Sequence, residues 1–418
     1  MTTHAASLDW ATIPTTIAKA ASPEPLRGGT DKPLLWDIFC RVIDNYGDIG
    51  VCWRLATGLS LRGHSVRLWL DDKHPLTWMA PGAVQGNWPR ITLCDWPTDD
   101  VTSHGVPLSD VWIEAFGCEI PSAWVQTQVL AANAQARRPA WINLEYLSAE
   151  PFAVRSHGLP SPVLHGPATG WFKYFFFPGF SPISGGLLPP SVINADTPGW
   201  DDPAIASFAP QAPQEQSILL FSYATAPISA LFQALLQGSQ PVQVLVAAGQ
   251  TTQAAHRALL ALPQAFEADP SAGDLAAPAQ EWRRGPLRVR FLPYLPQTSF
   301  DRLLRVCDLN LVRGEDSIAQ AVQAGKPCIW QIYPQDDGAH EAKLLAYLDA
   351  IGADAALRAW HGFWNSGPVM AHAPPACAWP WEVASPWKQS ADKLAARLAQ
   401  NPDACRQLME WALRGAPP

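Results

Sequence analysis

The sequence predicts a two-domain α/β protein in which two similar halves, each built on a parallel sheet, face one cleft. Three observations carry this expectation. Short apolar runs alternate with stretches of helical period in both halves. A stretch at 178–216, dense in Pro, Gly, Ser and Asp, interrupts the alternation near the middle. In each half, a loop of glycine and acidic residues follows an apolar run and precedes a helix.

In the first half, Leu34–Phe39 reads as a buried strand and Asp44–Gly50 as a turn-rich loop. Val51, Leu55 and Leu59 then recur every four residues, the stripe of a helix that stops near Gly63. Val66–Leu70, Ile91–Cys94, Val111–Phe116 and Ala140–Leu144 are further strands. Apolar strands of this kind suit a parallel sheet covered on both faces. In the second half, Ile218–Ser222 and Val242–Ala247 are strands, with a helix over Pro227–Gly238 between them. Leu262–Pro286 reads as an inserted Ala/Pro/Asp-rich loop. Leu287–Leu292, Leu309–Val312 and Cys328–Ile332 continue the sheet. A helix opening at Asp316-Ser317 and stopping at Gly325-Lys326-Pro327 lies between the last two. The pattern from Trp387 to Gly415 is helical. The expected division is 1–33 as a poorly ordered extension, 34–205 and 206–384 as the two domains, and 385–418 as terminal helices packing back toward the first domain.

The chain has 418 residues, which fits two large domains, and 48% of them are hydrophobic. Its net charge is −8 with no dense Lys/Arg block, which argues against a nucleic-acid partner. No run of about 18 apolar residues exists to span a membrane. The eight cysteines show no CxxC or Cys/His pairing, so no zinc site is expected, and reduced thiols in a cytoplasmic protein are. The 41 prolines are scattered and read as stiff loops.

Three segments carry the chemistry. Asp44-Asn45-Tyr46-Gly47-Asp48-Ile49-Gly50 lies at the carboxyl edge of the first sheet, where ligands bind in open parallel sheets. Its two carboxylates can poise a general base and hold a cation, or simply cap a turn and a helix. It is not a GxGxxG fingerprint. Arg313-Gly314-Glu315-Asp316-Ser317 has the same place in the second half. Backbone N–H groups at such a helix start bind phosphate, and Glu315 can accept from a sugar hydroxyl. The alternative is an ordinary N-cap by Asp316 or Ser317. The run Trp330–His340 follows a strand on the same edge and is either a ligand-facing loop or a stiffened turn, with His340 at a helix start. Asn143–Glu150 and Lys173–Phe180 read by default as core or domain-seam packing.

The stretch Ile38–Leu55 resembles the opening signature of the bacterial protein-arginine rhamnosyltransferases that mature elongation factor P. Asn143–Glu150, Phe177–Leu187 and Asn310–Gln335 are similar to further stretches of that family, in consistent order over about residues 35–400. The resemblance implies a GT-B glycosyltransferase with two Rossmann-like domains. It implies inverting transfer of L-rhamnose from dTDP-β-L-rhamnose to an arginine of elongation factor P, with the second half holding the nucleotide sugar and the first receiving the protein. Asp44 and Asp48 match the family's catalytic aspartates and Glu315 its functionally critical glutamate. Asp316 and Ser317 match positions at the diphosphate, and Tyr223 and Gln297 match nucleotide contacts. Asn45, Tyr46, Gly47, Arg313 and Gly314 complete the expected nucleotide-sugar set. No metal is expected. The chain departs from the pattern at Gln320-Ala321-Val322-Gln323, where the family has an Arg-Ala-Gln-Trp-like run, and at Gln331, where it often has His. Two other readings stay open: a nucleotide-sugar epimerase or small-molecule transferase on this fold, and a non-catalytic binding module.

Overall fold

The computed structural model describes residues 32–42, 46–98, 105–191, 199–262, 267–268, 281–335, 338–367, 374–375, 379 and 387–414. The expected extension at 1–33 lies almost wholly outside the described residues. The first sheet holds β1 (Leu35–Cys40), β2 (Ser65–Leu70), β3 (Ile91–Asp95), β4 (Val111–Ala115), β5 (Ala140–Leu144), β6 (Pro160–Pro162) and β7 (Phe172–Phe176). The second holds β8 (Gln216–Leu220), β9 (Val242–Val246), β10 (Glu267–Ala268), β11 (Glu281–Arg284), β12 (Leu287–Phe291), β13 (Leu309–Arg313) and β14 (Cys328–Gln331). The helices are α1 (Gly47–Leu61), α2 (Leu76–Met79), α3 (Ser122–Ala134), α4 (Pro151–Ser156), α5 (Ile228–Gln237), α6 (Gln250–Ala261), α7 (Gln297–Val306), α8 (Glu315–Gln323), α9 (Ala339–Ile351), α10 (Ala355–Asn365), α11 (Trp387–Leu398) and α12 (Ala404–Arg414).

The first sheet runs β3-β2-β1-β4-β5-β7-β6 and the second β10-β11-β12-β9-β8-β13-β14. The first therefore contains a run of six parallel strands and the second a run of five, and in each the chain goes outward one way, returns to the centre and goes outward the other way. The centre pairs are β1 with β4 (Ile38 beside Ile113) and β8 with β13 (Leu220 beside Leu311). At such a reversal the flanking helices diverge, and a crevice opens beyond the carboxyl ends of the strands. Tyr46 and Gly47 at the start of α1 lie at the first of these crevices, and Gly314 after β13 lies at the second.

Burial explains why the elements form. Ile38, Leu68 and Ile113 are fully buried on the central strands, and α1 covers them with Ile49, Cys52, Leu55 and Leu59. The α12 residues Cys405, Leu408 and Trp411 join the same cluster, so this helix packs on the first lobe. Gly58 permits this approach, because a Cβ there would stand 2.6 Å from the Cys405 sulfur. Many of the tryptophans pack on the other face of that sheet, where Trp112 meets Trp124 at 5.1 Å and Trp141 at 5.2 Å. The seam between lobes is apolar too: Leu147, Phe180 and Leu187 are buried in one cluster with Leu303, Val312 and Tyr347.

One expectation needs correction. Part of the stretch read as an inserted loop is sheet. β11 pairs antiparallel with β12 (Arg284 opposite Leu287) and with β10, extending the second sheet's edge. The two-residue turn Gly285-Pro286 makes this possible, with Gly285 at φ 50°. The Ala/Pro-rich composition around it masked a four-residue strand.

Candidate functional site

The two carboxyl edges meet across a cavity of about 310 Å³ lined from both lobes, by Tyr46, Gly47 and Gly50 on one side and Tyr223 and residues 313–317 on the other. Asp44 and Asn45 lie outside the described residues. Tyr46 precedes α1, edge-on to Trp78 at 5.3 Å and to Tyr294 of the second lobe at 6.3 Å. Asp48 sits in the first turn of α1 and is 3% exposed. It does not cap the helix. Its carboxylate accepts a hydrogen bond from the Tyr146 hydroxyl at 3.3 Å, and Tyr146 stacks on Phe116 at 4.4 Å.

In the second lobe, β13 ends in Arg313 and α8 begins at Glu315, with Gly314 between them at φ 73° and ψ 170°. No side chain among the described residues caps α8, so the ordinary N-cap reading fails: Asp316 is in the first turn with its carboxylate turned to Arg54 of α1. Arg313 lies over the rings of Phe221 (4.8 Å) and Tyr223 (4.6 Å) and donates to Gln250 Oε1 at 3.4 Å. Gln331, the residue that departs from the family pattern, accepts the Tyr223 N–H at 2.7 Å and so holds the turn that presents Tyr223. Gln297 opens α7 and belongs to the seam: its amide donates to Gly50 O at 2.9 Å and accepts from Ser191 Oγ at 3.0 Å.

Glu315 faces the first lobe. Its Oε2 accepts the Leu147 N–H at 2.7 Å and its Oε1 pairs with Lys343 of α9. Burial raises the pKa of this carboxyl above the usual range; Lys343 and the Leu147 N–H pull it back, and the nearby Asp48 carboxylate pushes it up again. Two acids from opposite lobes thus share one electrostatic site, joined by the Tyr146-Leu147 dipeptide, which touches both.

Tyr146, Leu147, Lys343, Arg54 and Phe221 were not singled out as site residues from sequence. From sequence the run Asn143–Glu150 reads as core or domain-seam packing, and Leu147 does pack in the seam, but its N–H and the neighbouring hydroxyl also serve the acids. Arg54 carried a usable signal: it sits inside a helix buried on nearly all sides, and a buried guanidinium requires partners. His340 lies in the first turn of α9, where its Nδ1 accepts the Gln335 N–H at 3.0 Å. Among the described residues no group of three or more His, Cys, Asp or Glu is placed to hold a metal ion. None of their helices is long and apolar enough to cross a membrane.

Comparison with known proteins agrees with this architecture. Residues 36–413 match the family described as Elongation-Factor P (EF-P) rhamnosyltransferase EarP. A protein-arginine rhamnosyltransferase of Pseudomonas putida is 38% identical over 395 residues, covering 90% of this chain and 98% of that protein. Its counterpart in Pseudomonas aeruginosa is 36% identical, with the same coverage. A solved structure described as the structural basis for EarP-mediated arginine glycosylation of translation elongation factor EF-P superposes with a TM-score of 0.54 at 27% identity, covering 90% of this chain and 98% of that one. The chain belongs to the EarP rhamnosyltransferase family and is a glycosyltransferase of the GT-B fold.

Proposed function

We propose that this protein transfers L-rhamnose from dTDP-β-L-rhamnose to an arginine side chain of elongation factor P, with inversion at the anomeric carbon. The observation that carries the reading is that Asp48 of one lobe and Glu315 of the other are held by the same dipeptide, Asp48 by the Tyr146 hydroxyl and Glu315 by the Leu147 N–H, beside a cavity lined from both lobes. An arginine guanidinium stays protonated, with a pKa above about 12, so it attacks only if a base holds it and takes a proton as the C–N bond forms. A buried carboxylate does both through charge-assisted hydrogen bonds. Asp44 and Asp48 are the proposed acids for this step.

The donor's diphosphate would sit at the start of α8, whose first-turn N–H groups have no side-chain cap among the described residues. Those N–H groups and Arg313 meet the charge that grows on the leaving diphosphate, so the proposal needs no metal ion. Glu315 is turned away from the helix start, which suits a role toward sugar hydroxyls or the incoming cation, not the phosphates. Tyr223, Gln297, Gly314 and Ser317, with the backbone N–H of Asp316, complete the proposed donor side; Tyr46 and Gly47 close it from the acceptor lobe, and Asn45 is the further residue proposed there. Donor and acceptor held on opposite lobes favour a single in-line displacement, which inverts configuration.

Incubation with dTDP-L-rhamnose and elongation factor P, read by intact mass, tests the reading. One added deoxyhexose on the protein is expected, with no addition when its target arginine is changed to Lys. Asp48→Asn and Asp44→Asn should each lower turnover by about 10²-fold or more while dTDP binding persists. Consumption of the donor with no mass gained by elongation factor P would instead support a small-molecule reaction.

A further inference from the structure

Arg54 is carried on α1, six residues beyond Asp48 on the same helix, yet both of its carboxylate partners belong to the other lobe. It is 1% exposed. A guanidinium has five N–H donors in a fixed fork. All five are spent within the protein. Nε and Nη2 donate to Asp316 at 2.7 and 2.9 Å, Nη1 and Nη2 to Asp301 at 2.6 and 3.0 Å, and Nη1 also to Ser191 Oγ at 2.8 Å. Ser191 and Gln297 close the ring, with the Ser191 N–H on Asp301 at 2.8 Å and Gln297 Nε2 on the Gly50 carbonyl at 2.9 Å. No donor is left for a phosphate, so Arg54 does not bind the nucleotide itself.

Its importance lies in what it does to Asp316. That carboxylate belongs to the first turn of α8, which lines the cavity and whose N–H groups have no side-chain cap among the described residues. Left to itself, a carboxylate there accepts from those N–H groups and repels any anion that approaches them. The cluster holds one cation and two carboxylates, a net charge of −1; without Arg54 it becomes −2.

We propose that Arg54 is a positioning residue for the sugar donor: it draws the Asp316 carboxylate back from the start of α8 and cancels its charge, so that the acceptor lobe completes the anion seat of the donor lobe. This rests on the reading of α8 as the seat of the diphosphate. It makes donor affinity depend on the two lobes being together, although Arg54 touches no ligand.

The test is dTDP binding by titration calorimetry to wild type, Arg54→Gln, Asp316→Asn and the double variant, with circular dichroism to confirm folding. Arg54→Gln should weaken dTDP about tenfold or more, because an unscreened carboxylate then faces the diphosphate, and the loss should shrink at high salt. Neutralising Asp316 in that background should restore affinity to within about threefold of Asp316→Asn alone, as removal of the repelling charge requires. A residue that merely bolts the lobes together would show no such recovery. Equal affinity in wild type and Arg54→Gln, or a double variant as weak as Arg54→Gln, overturns the proposal. Should Arg54→Gln fail to fold, Asp316→Asn against wild type decides: affinity held or raised supports the proposal, and a loss overturns it. Failure of the wild type itself to bind dTDP would overturn the diphosphate reading instead.

Discussion

Gly314→Ala isolates the backbone geometry of the proposed donor seat. Gly314 stands at φ 73° and ψ 170°, a region that residues with a Cβ enter at a cost of about 1–3 kcal/mol. A Cβ built there meets no atom within 4 Å, so the cost is torsional and contains no clash. The energy must appear in one of two places. If the loop keeps its shape, folding stability falls by the full amount. If the loop relaxes toward ordinary torsions, the first-turn N–H groups of α8 turn away and dTDP affinity falls, by about 5- to 150-fold for the same energy. Urea unfolding and titration calorimetry on the same preparation measure both, and their losses should sum to about 1–3 kcal/mol. Asn should give no relief. It tolerates left-handed helical torsions with ψ near +47°, which is far from the 170° found here. A Gly314→Ala protein that unfolds and binds dTDP like wild type would refute the reasoning.

Gly362→Ala should do the opposite: Gly362 is exposed in the middle of α10, its φ is ordinary and its Cβ position is open. Replacement should stabilise the protein by about 0.5–1 kcal/mol in urea unfolding, and destabilisation would contradict the assignment. Lys343→Met removes a cation that lowers the Glu315 pKa against the rise caused by burial. If ionised Glu315 is required, the acid limb of kcat/KM moves to higher pH, and an unmoved limb would exclude that requirement. His361 is buried and neutral, its Nε2 accepting the Trp330 N–H at 3.1 Å and its Nδ1 bonded to Leu357 O at 2.9 Å. Burial lowers its pKa from 6.5 to about 4. The unfolded chain takes up a proton first as pH falls, so stability is lost between about pH 6.5 and 4, by up to about 3 kcal/mol. His361→Gln puts an amide oxygen near the Nε2 position to accept the Trp330 N–H without titrating, and should flatten that slope. Glu315, with a raised pKa, acts the other way, favouring the fold most below the ordinary carboxylate range.

The strands and helices were legible in the sequence because their cause is local. Leu311 and its neighbours on β13, or Val51, Leu55 and Leu59 on α1, record in their spacing which face meets the core. The glycine-bearing loops marked the two carboxyl edges for the same reason: only particular residues let the chain turn there. What joins those edges was not legible. Leu147 reaches Glu315 from 168 residues away and Arg54 reaches Asp316 from 262. Sequence could say that a guanidinium inside an apolar helix must find carboxylates, but not which ones. That choice belongs to the packing of the lobes, where a buried charge is tolerated only if its partners arrive from wherever the chain has brought them. The acids and the turns were written locally; their convergence on one cleft was decided by the tertiary fold.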